Sequence, residues 1–133
     1  MAFQSSAEVR KYLGGVFEAA FVDPEIGSKL KSTGIVLKTI YTDPDSIVVI
    51  DTVTGEVREG DFESECTASM TMTADTGNAY WQGKVNLPLA MAKSKIKVEG
   101  NVAALLKLAP LGKRLYPKYI AALEADGRND LIA

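Results

Sequence analysis

The sequence lacks histidine altogether and has one cysteine, Cys66, among 133 residues. Without histidine there is no Ser-His or Cys-His nucleophile pair, no histidine-based zinc site and no side chain that ordinarily titrates near neutral pH. A single thiol excludes an internal disulfide and a CxxC redox pair. Its acidic neighbours Glu63 and Glu65 favour the neutral thiol, so Cys66 reads as an ordinary buried residue, not a nucleophile. Long apolar runs are also missing: the longest stretch free of charge, 66–74, has nine residues, against roughly 20 needed to span a bilayer. Near the start, Glu8, Arg10 and Lys11 interrupt what a secretory leader needs as a continuous apolar segment. The expectation is a soluble, cytosolic protein with a reduced thiol. Positive charge is not in excess either, since 15 Lys and Arg face 17 Asp and Glu for a net −2. That balance argues against nucleic-acid binding, which needs clustered cations.

What is present is apolar surface, 47% of the residues. At this length one domain, 1–133, is expected, burying roughly two-thirds of the unfolded chain's surface without metal or disulfide. Val9, Tyr12, Leu13, Val16, Phe17, Ala20 and Phe21 recur at helical spacing, and Ser5 with Glu8 fits a capping box. Asp23-Pro24 ends that helix, with a short second turn expected over 25–32. The period then becomes that of strands, over 35–41 and 46–51, joined by Asp43-Pro44-Asp45 as an antiparallel hairpin. After a turn at Thr54-Gly55, alternation over 63–74 predicts a strand with Cys66, Ala68, Met70 and Met72 on its dry face. Asp75 is the expected N-cap of a short helix closed by Gly83. A half-buried strand is expected over 93–99, with Ile96 and Val98 inward and Lys93, Lys95, Lys97 and Glu99 outward. Gly100-Asn101 turns the chain into a helix over 102–108, and Pro110 and Pro117 punctuate the last segment. Helices segregated from an antiparallel sheet make an α+β layer pair.

Charge is divided unevenly. Residues 42–83 carry nine acidic and one basic side chain, whereas 84–118 carry eight basic and one acidic. Such asymmetry fits an anionic membrane surface or a phosphate-bearing ligand, and equally fits strands that pair opposite charges across a wet face. Glu59, Asp61, Glu63 and Glu65 are dense, but they match no calcium loop and read as a solvated edge. No glycine pattern matches a phosphate loop or a dinucleotide fingerprint. Met70, Met72 and Met91, set among alanines and followed by Leu105, Leu106 and Leu108, fit an adaptable hollow or a filled core, and composition alone favours the core.

The run from Gly83-Lys84, through Lys95-Ile96-Lys97 and Gly100-Asn101, to Lys107-Leu108 resembles the sterol carrier protein 2 family. The usual first glycine of that strand is replaced by Ser94. The resemblance implies helices over a five-stranded, largely antiparallel sheet with an apolar tunnel between them. It implies lipid or sterol-like ligands (sterols, fatty acids, acyl-CoAs), no cofactor, no metal and no catalytic residue. On the matching positions the ligand is expected at Met70, Met72, Trp81, Met91, Ile96, Val102, Leu105, Leu106 and Leu108. Lys113, Arg114 and Lys118 are expected to supply positive charge at the entrance. Two other readings stand beside it. One is an enzyme or accessory subunit using Tyr80, Asp75 or Glu99 as acid or base. The other is an interaction module with an apolar groove.

Overall fold

The structure is a computed structural model that describes residues 3–132. Ser5 opens the first helical rod, its Oγ accepting the Glu8 backbone N–H at 3.2 Å. The Glu8 carboxylate accepts from the backbone of Gln4 at 3.5 Å, so the reciprocal half of the expected capping box is displaced by one residue. Helix α1 (Ser6–Val9), a π-turn (Arg10–Gly14) and α2 (Gly15–Val22) follow one another in right-handed geometry. Val9, Leu13, Val16, Phe17 and Ala20 are buried along them, as the spacing predicts. Asp23 then leaves helical space and caps α3 (Pro24–Thr33), accepting from the N–H groups of Glu25 at 3.0 Å and Ile26 at 2.9 Å. With a side-chain cap and proline at its start, this segment extends to ten residues where only a short turn was expected.

Five strands form one sheet: β1 (Val36–Thr42), β2 (Ser46–Asp51), β3 (Glu56–Glu59), β4 (Ala68–Thr73) and β5 (Lys97–Gly100). Their order is β3-β2-β1-β4-β5, antiparallel throughout except where β1 and β4 run parallel. That parallel pair forces a crossover, because the chain leaves β3 at one edge and must pass β2 and β1 to reach β4. It does so on the outer face, where the Lys38 ammonium donates to the carbonyls of Phe62 and Ser64 at 3.0 and 2.9 Å. The crossover shortens the expected strand: β4 begins at Ala68, and Cys66 is exposed on the connection, not buried on the dry face. It also covers part of the outer face, which buries Ser69 as well as Ala68 and Met70. Inward, the register sets Leu37 opposite Ala68, Thr39 opposite Met70 and Tyr41 opposite Met72. Those inner side chains form one core with the helices, from Phe3 to Leu131.

Helix α4 (Ala74–Tyr80) is capped by Thr73, whose Oγ1 accepts the Thr76 N–H at 3.1 Å, and not by Asp75. The first half of the expected 93–99 strand is instead a loop that follows α5 (Leu87–Ala92), a helix started by Asn86, whose side chain caps the Leu89 N–H at 3.0 Å. Asn101 does the same for the Ala104 N–H at 3.0 Å, opening α6 (Val102–Gly112). Pro110 sits inside α6, which runs one turn past the expected end. Helix α7 (Tyr116–Ala125) closes the layer, with Pro117 in its first turn.

Ser94 has a positive φ of 60°. Left-handed geometry costs a side-chain-bearing residue about 1–2 kcal/mol, and glycine loses about 0.5–1 kcal/mol of that advantage through its freer unfolded chain. Ser94→Gly therefore raises stability by about 0.5–1 kcal/mol in urea unfolding, and an unchanged midpoint refutes the assignment of strain to this residue.

Candidate functional site

An apolar pocket lies between the sheet and the helices. Leu37 and Met70 form its floor, Phe17 and Leu30 come from α2 and α3, and Tyr80 and Trp81 close it at the end of α4. Leu87, Leu105, Leu108, Ala109, Gly112 and Leu115 supply the remaining wall, so no charged side chain lines it. Trp81 is held by packing and by one polar contact. Its ring stands edge-on to Phe17 and Tyr80, with centroids 5.0 and 4.9 Å apart, and its Nε1–H donates to the Tyr41 hydroxyl at 3.4 Å.

The space enclosed is about 20 Å³. A dry cavity that accepts benzene needs about 150 Å³, so the open tunnel implied by the resemblance is here a seam whose walls nearly meet. Its lid, however, is lightly held. Helix α6 has eleven residues and buries only Leu105 and Leu108, and α5 buries only Ala90. Few buried contacts mean a low free-energy cost of local opening.

Four of the nine expected ligand-contacting residues line this pocket: Met70, Trp81, Leu105 and Leu108. Met72 is buried on the same sheet face beyond the lining, and Ile96 is buried just before β5. Met91 and Val102 are half-buried outside the lining. Leu106 is 52% exposed, which corrects its assignment: a helix turns about 100° per residue, so with 105 and 108 inward, 106 faces out. Phe17, Leu30, Leu37, Leu87 and Leu115 were not foreseen. Phe17 and Leu37 carried a signal in their helical and strand periodicity, but which elements meet at one seam is a property of the topology.

The entrance cations are differently disposed. Arg114 pairs with Glu25 at 2.7 Å and Lys118 with Asp23 at 3.3 Å, tying the α6–α7 junction to the start of α3. Glu25 is held below the usual carboxylate range, first by Arg114 and then by Lys29. Lys113 is exposed and makes no such pair among the described residues.

Acid–base chemistry finds no common site. Burial, reinforced by Tyr116 and Tyr41, pushes the Tyr80 phenol up to about 12, so it keeps its proton near neutral pH. Asp75 lines a separate open groove with Lys84, Lys93 and Lys95, and Glu99 is on the exposed edge strand, 3.4 Å from Lys97. The three candidates therefore do not converge on one pocket. Among the described residues no three Cys, Asp or Glu side chains are grouped to hold a metal ion, and no helix is long and apolar enough to cross a membrane.

The same architecture is found in solved structures. Sterol carrier protein domain 2 of Helicoverpa armigera superposes with a TM-score of 0.68 at 22% identity, covering 82% of this chain and 88% of that chain. Apo sterol carrier protein 2 of Yarrowia lipolytica gives 0.66 at 16% identity, over 87% and 98% of the two chains. Sterol carrier protein 2 of Aedes aegypti, solved in complex with palmitate, gives 0.59 at 25% identity, over 83% and 96%. Comparison with curated proteins yields no match. The family model of the SCP-2 sterol transfer family matches residues 17–113, from the pocket residue Phe17 to the end of α6, and with well over half its length matched the chain belongs to that family.

Proposed function

We propose that the protein binds and carries long apolar molecules, whether sterol, fatty acid or fatty acyl-CoA, and catalyses no reaction. The observation that carries this reading is a buried pocket lined without a single charged side chain and lidded by helices that bury few residues. Cargo enters by parting the α5–α6 lid from Met70 and Leu37, replacing a nearly closed seam with hydrocarbon. Burying about 12 to 14 methylenes at roughly 0.8 kcal/mol each is worth on the order of 10 kcal/mol before association costs of several kcal/mol. Micromolar binding then needs no polar anchor, and selectivity follows from how far the lid opens. Lys113, exposed at the end of α6, offers its charge to a carboxylate or phosphate at the rim. A cytosolic setting suits the exposed Cys66, which stays reduced there.

The test uses Trp81, the single tryptophan. A fatty acid spin-labelled along its chain quenches Trp81 fluorescence saturably, and an unlabelled long-chain fatty acid or sterol reverses the quenching. Absence of quenching, together with native mass spectra in which the fresh protein is always ligand-free, rejects the carrier reading.

A further inference from the structure

One side chain of the pocket wall carries a polar group that the fold leaves unused. Among the residues lining the pocket, only Tyr80 and Trp81 have an oxygen or nitrogen in the side chain. The Trp81 N–H is committed to the Tyr41 hydroxyl at 3.4 Å. Tyr80 is 9% exposed, and its hydroxyl has no hydrogen-bond partner among the described residues. Other phenols in the core are paired: the Tyr119 hydroxyl donates to Asn78 Oδ1 at 2.6 Å, and the Tyr12 hydroxyl to Asp126 Oδ2 at 2.9 Å. No polar side-chain atom among the described residues is at once fully enclosed and unpaired, so the Tyr80 oxygen keeps an accessible side where a partner can sit. Packing needs only the ring, which stands edge-on to Trp81 with centroids 4.9 Å apart. A phenylalanine would supply that contact without the cost of holding a hydroxyl away from water. Burial keeps the proton on this phenol near neutral pH, so the group is a standing donor.

We infer that Tyr80 is the specificity-determining residue of the pocket, its hydroxyl donating a hydrogen bond to the oxygen of an uncharged cargo such as a ketone, ester or alcohol. The wall excludes a charged partner at this position. No cation lines the pocket, and Arg114 and Lys118 are engaged by Glu25 and Asp23. A carboxylate brought to Tyr80 would therefore lose its water without gaining a counter-charge. A carbonyl gives up far less hydration and recovers one hydrogen bond, while its alkyl remainder lies among Met70, Leu105 and Leu108. A fatty acid then enters with its charged end left at the rim. This inference deepens the carrier reading and rests on it. Tyr116 is the rival phenol, near enough to raise the Tyr80 pKa. Its ring packs instead on Gly83, where an added Cβ would lie 2.9 Å from Tyr116 Cδ2, and it does not line the pocket.

The test is competition against the spin-labelled fatty acid, read through Trp81, with a long-chain methyl ketone and the alkane of equal length, both delivered from cyclodextrin. Comparing the ketone-to-alkane affinity ratio in the wild type and in Tyr80→Phe cancels the contributions of water, cyclodextrin and probe. Tyr80→Phe lowers that ratio by about tenfold. The two ligands move in opposite directions, since the alkane no longer covers an unpaired hydroxyl and binds more tightly while the ketone binds more weakly. Tyr116→Phe leaves the ratio within about twofold, and the ionised labelled fatty acid binds Tyr80→Phe within about twofold of the wild type. A ratio unchanged in Tyr80→Phe, parallel weakening of both ligands, or an equal fall in Tyr116→Phe would overturn the assignment. Loss of fatty acid binding as large as that of the ketone would overturn its restriction to uncharged cargo. Failure of every ligand to bind the wild type is a different result, which removes the carrier reading and this inference with it.

Discussion

Gly100→Ala lowers stability by about 3 kcal/mol, the first of two large losses expected from single substitutions. Gly100 has φ +87°, and a Cβ there would lie 2.7 Å from the Thr67 carbonyl oxygen and 3.1 Å from the Ala68 Cα. Both obstacles are backbone, held by the β4–β5 ladder, in which Gly100 pairs with Ala68, and by the Asn101 N–H, which donates to that same Thr67 carbonyl at 3.0 Å. Neither can yield without moving the start of α6. Gly34→Ala separates the two causes: its φ is +64° with nothing within 4 Å of the added Cβ, so only the conformational cost of about 1 kcal/mol applies. Urea unfolding with an unchanged slope measures both. Equal losses at 100 and 34 would show that the close approach to Thr67 contributes nothing. Labelled fatty acid should also bind Gly100→Ala more weakly, because the helix that carries Leu105 and Leu108 begins at the displaced turn.

Asn78→Leu is the second, at about 3 kcal/mol. Asn78 is buried on α4 and joins three parts of the chain. Its Nδ2 donates to the Leu131 carbonyl at 2.8 Å, and its Oδ1 accepts from the Tyr119 hydroxyl at 2.6 Å and from Gln82 Nε2 at 3.1 Å. Leucine fills similar space but strands the Tyr119 hydroxyl, which is buried deeply enough that desolvation drives its pKa upward. An unpaired buried hydroxyl costs more than the bond it made. Removing the orphan reverses part of the damage, so Asn78→Leu with Tyr119→Phe is more stable than Asn78→Leu alone. A double mutant whose losses simply add would mean that the Tyr119–Asn78 bond is not the seat of the effect. Gln82, which also donates to the Leu131 carbonyl at 2.9 Å, keeps the C-terminal segment attached in both variants. Since α4 also presents Tyr80 to the pocket, with Trp81 directly after it, this network fixes the wall against which the α5–α6 lid opens.

The elements that were legible share one property: their signal lies within a few residues. Asp43-Pro44-Asp45 between two β-branched runs announced the β1–β2 hairpin, and Ser5 and Asn101 stand where helices begin. Alternation correctly put Ala68, Met70 and Met72 on the inner face. The same alternation failed two residues earlier at Cys66, because a period of two describes a chain that is already a strand and says nothing of where a crossover ends. Asp75 lost the cap to Thr73 for a related reason. Both are capable capping residues, and β4 delivers the chain in extended geometry at Thr73. Leu106 was placed with Leu105 and Leu108 by the resemblance, whereas a helix pressed on one side against β4 and α3 can turn only part of its circumference inward.

By itself the sequence determined which residue types are missing, the class of layers, the β1–β2 hairpin and the first helix cap, and, through the 83–108 motif, the family. These depend on residue type and short spacing, which any segment carries with it. Only the tertiary structure decided that β1 and β4 run side by side, which leucine of α6 meets Met70 and which meets water, and that Arg114 and Lys118 are taken up by α3. It also decided how little room the seam leaves at rest. Pairings and volumes of that kind arise where distant segments close-pack, and their free energies belong to the assembled neighbours and to no one stretch of chain.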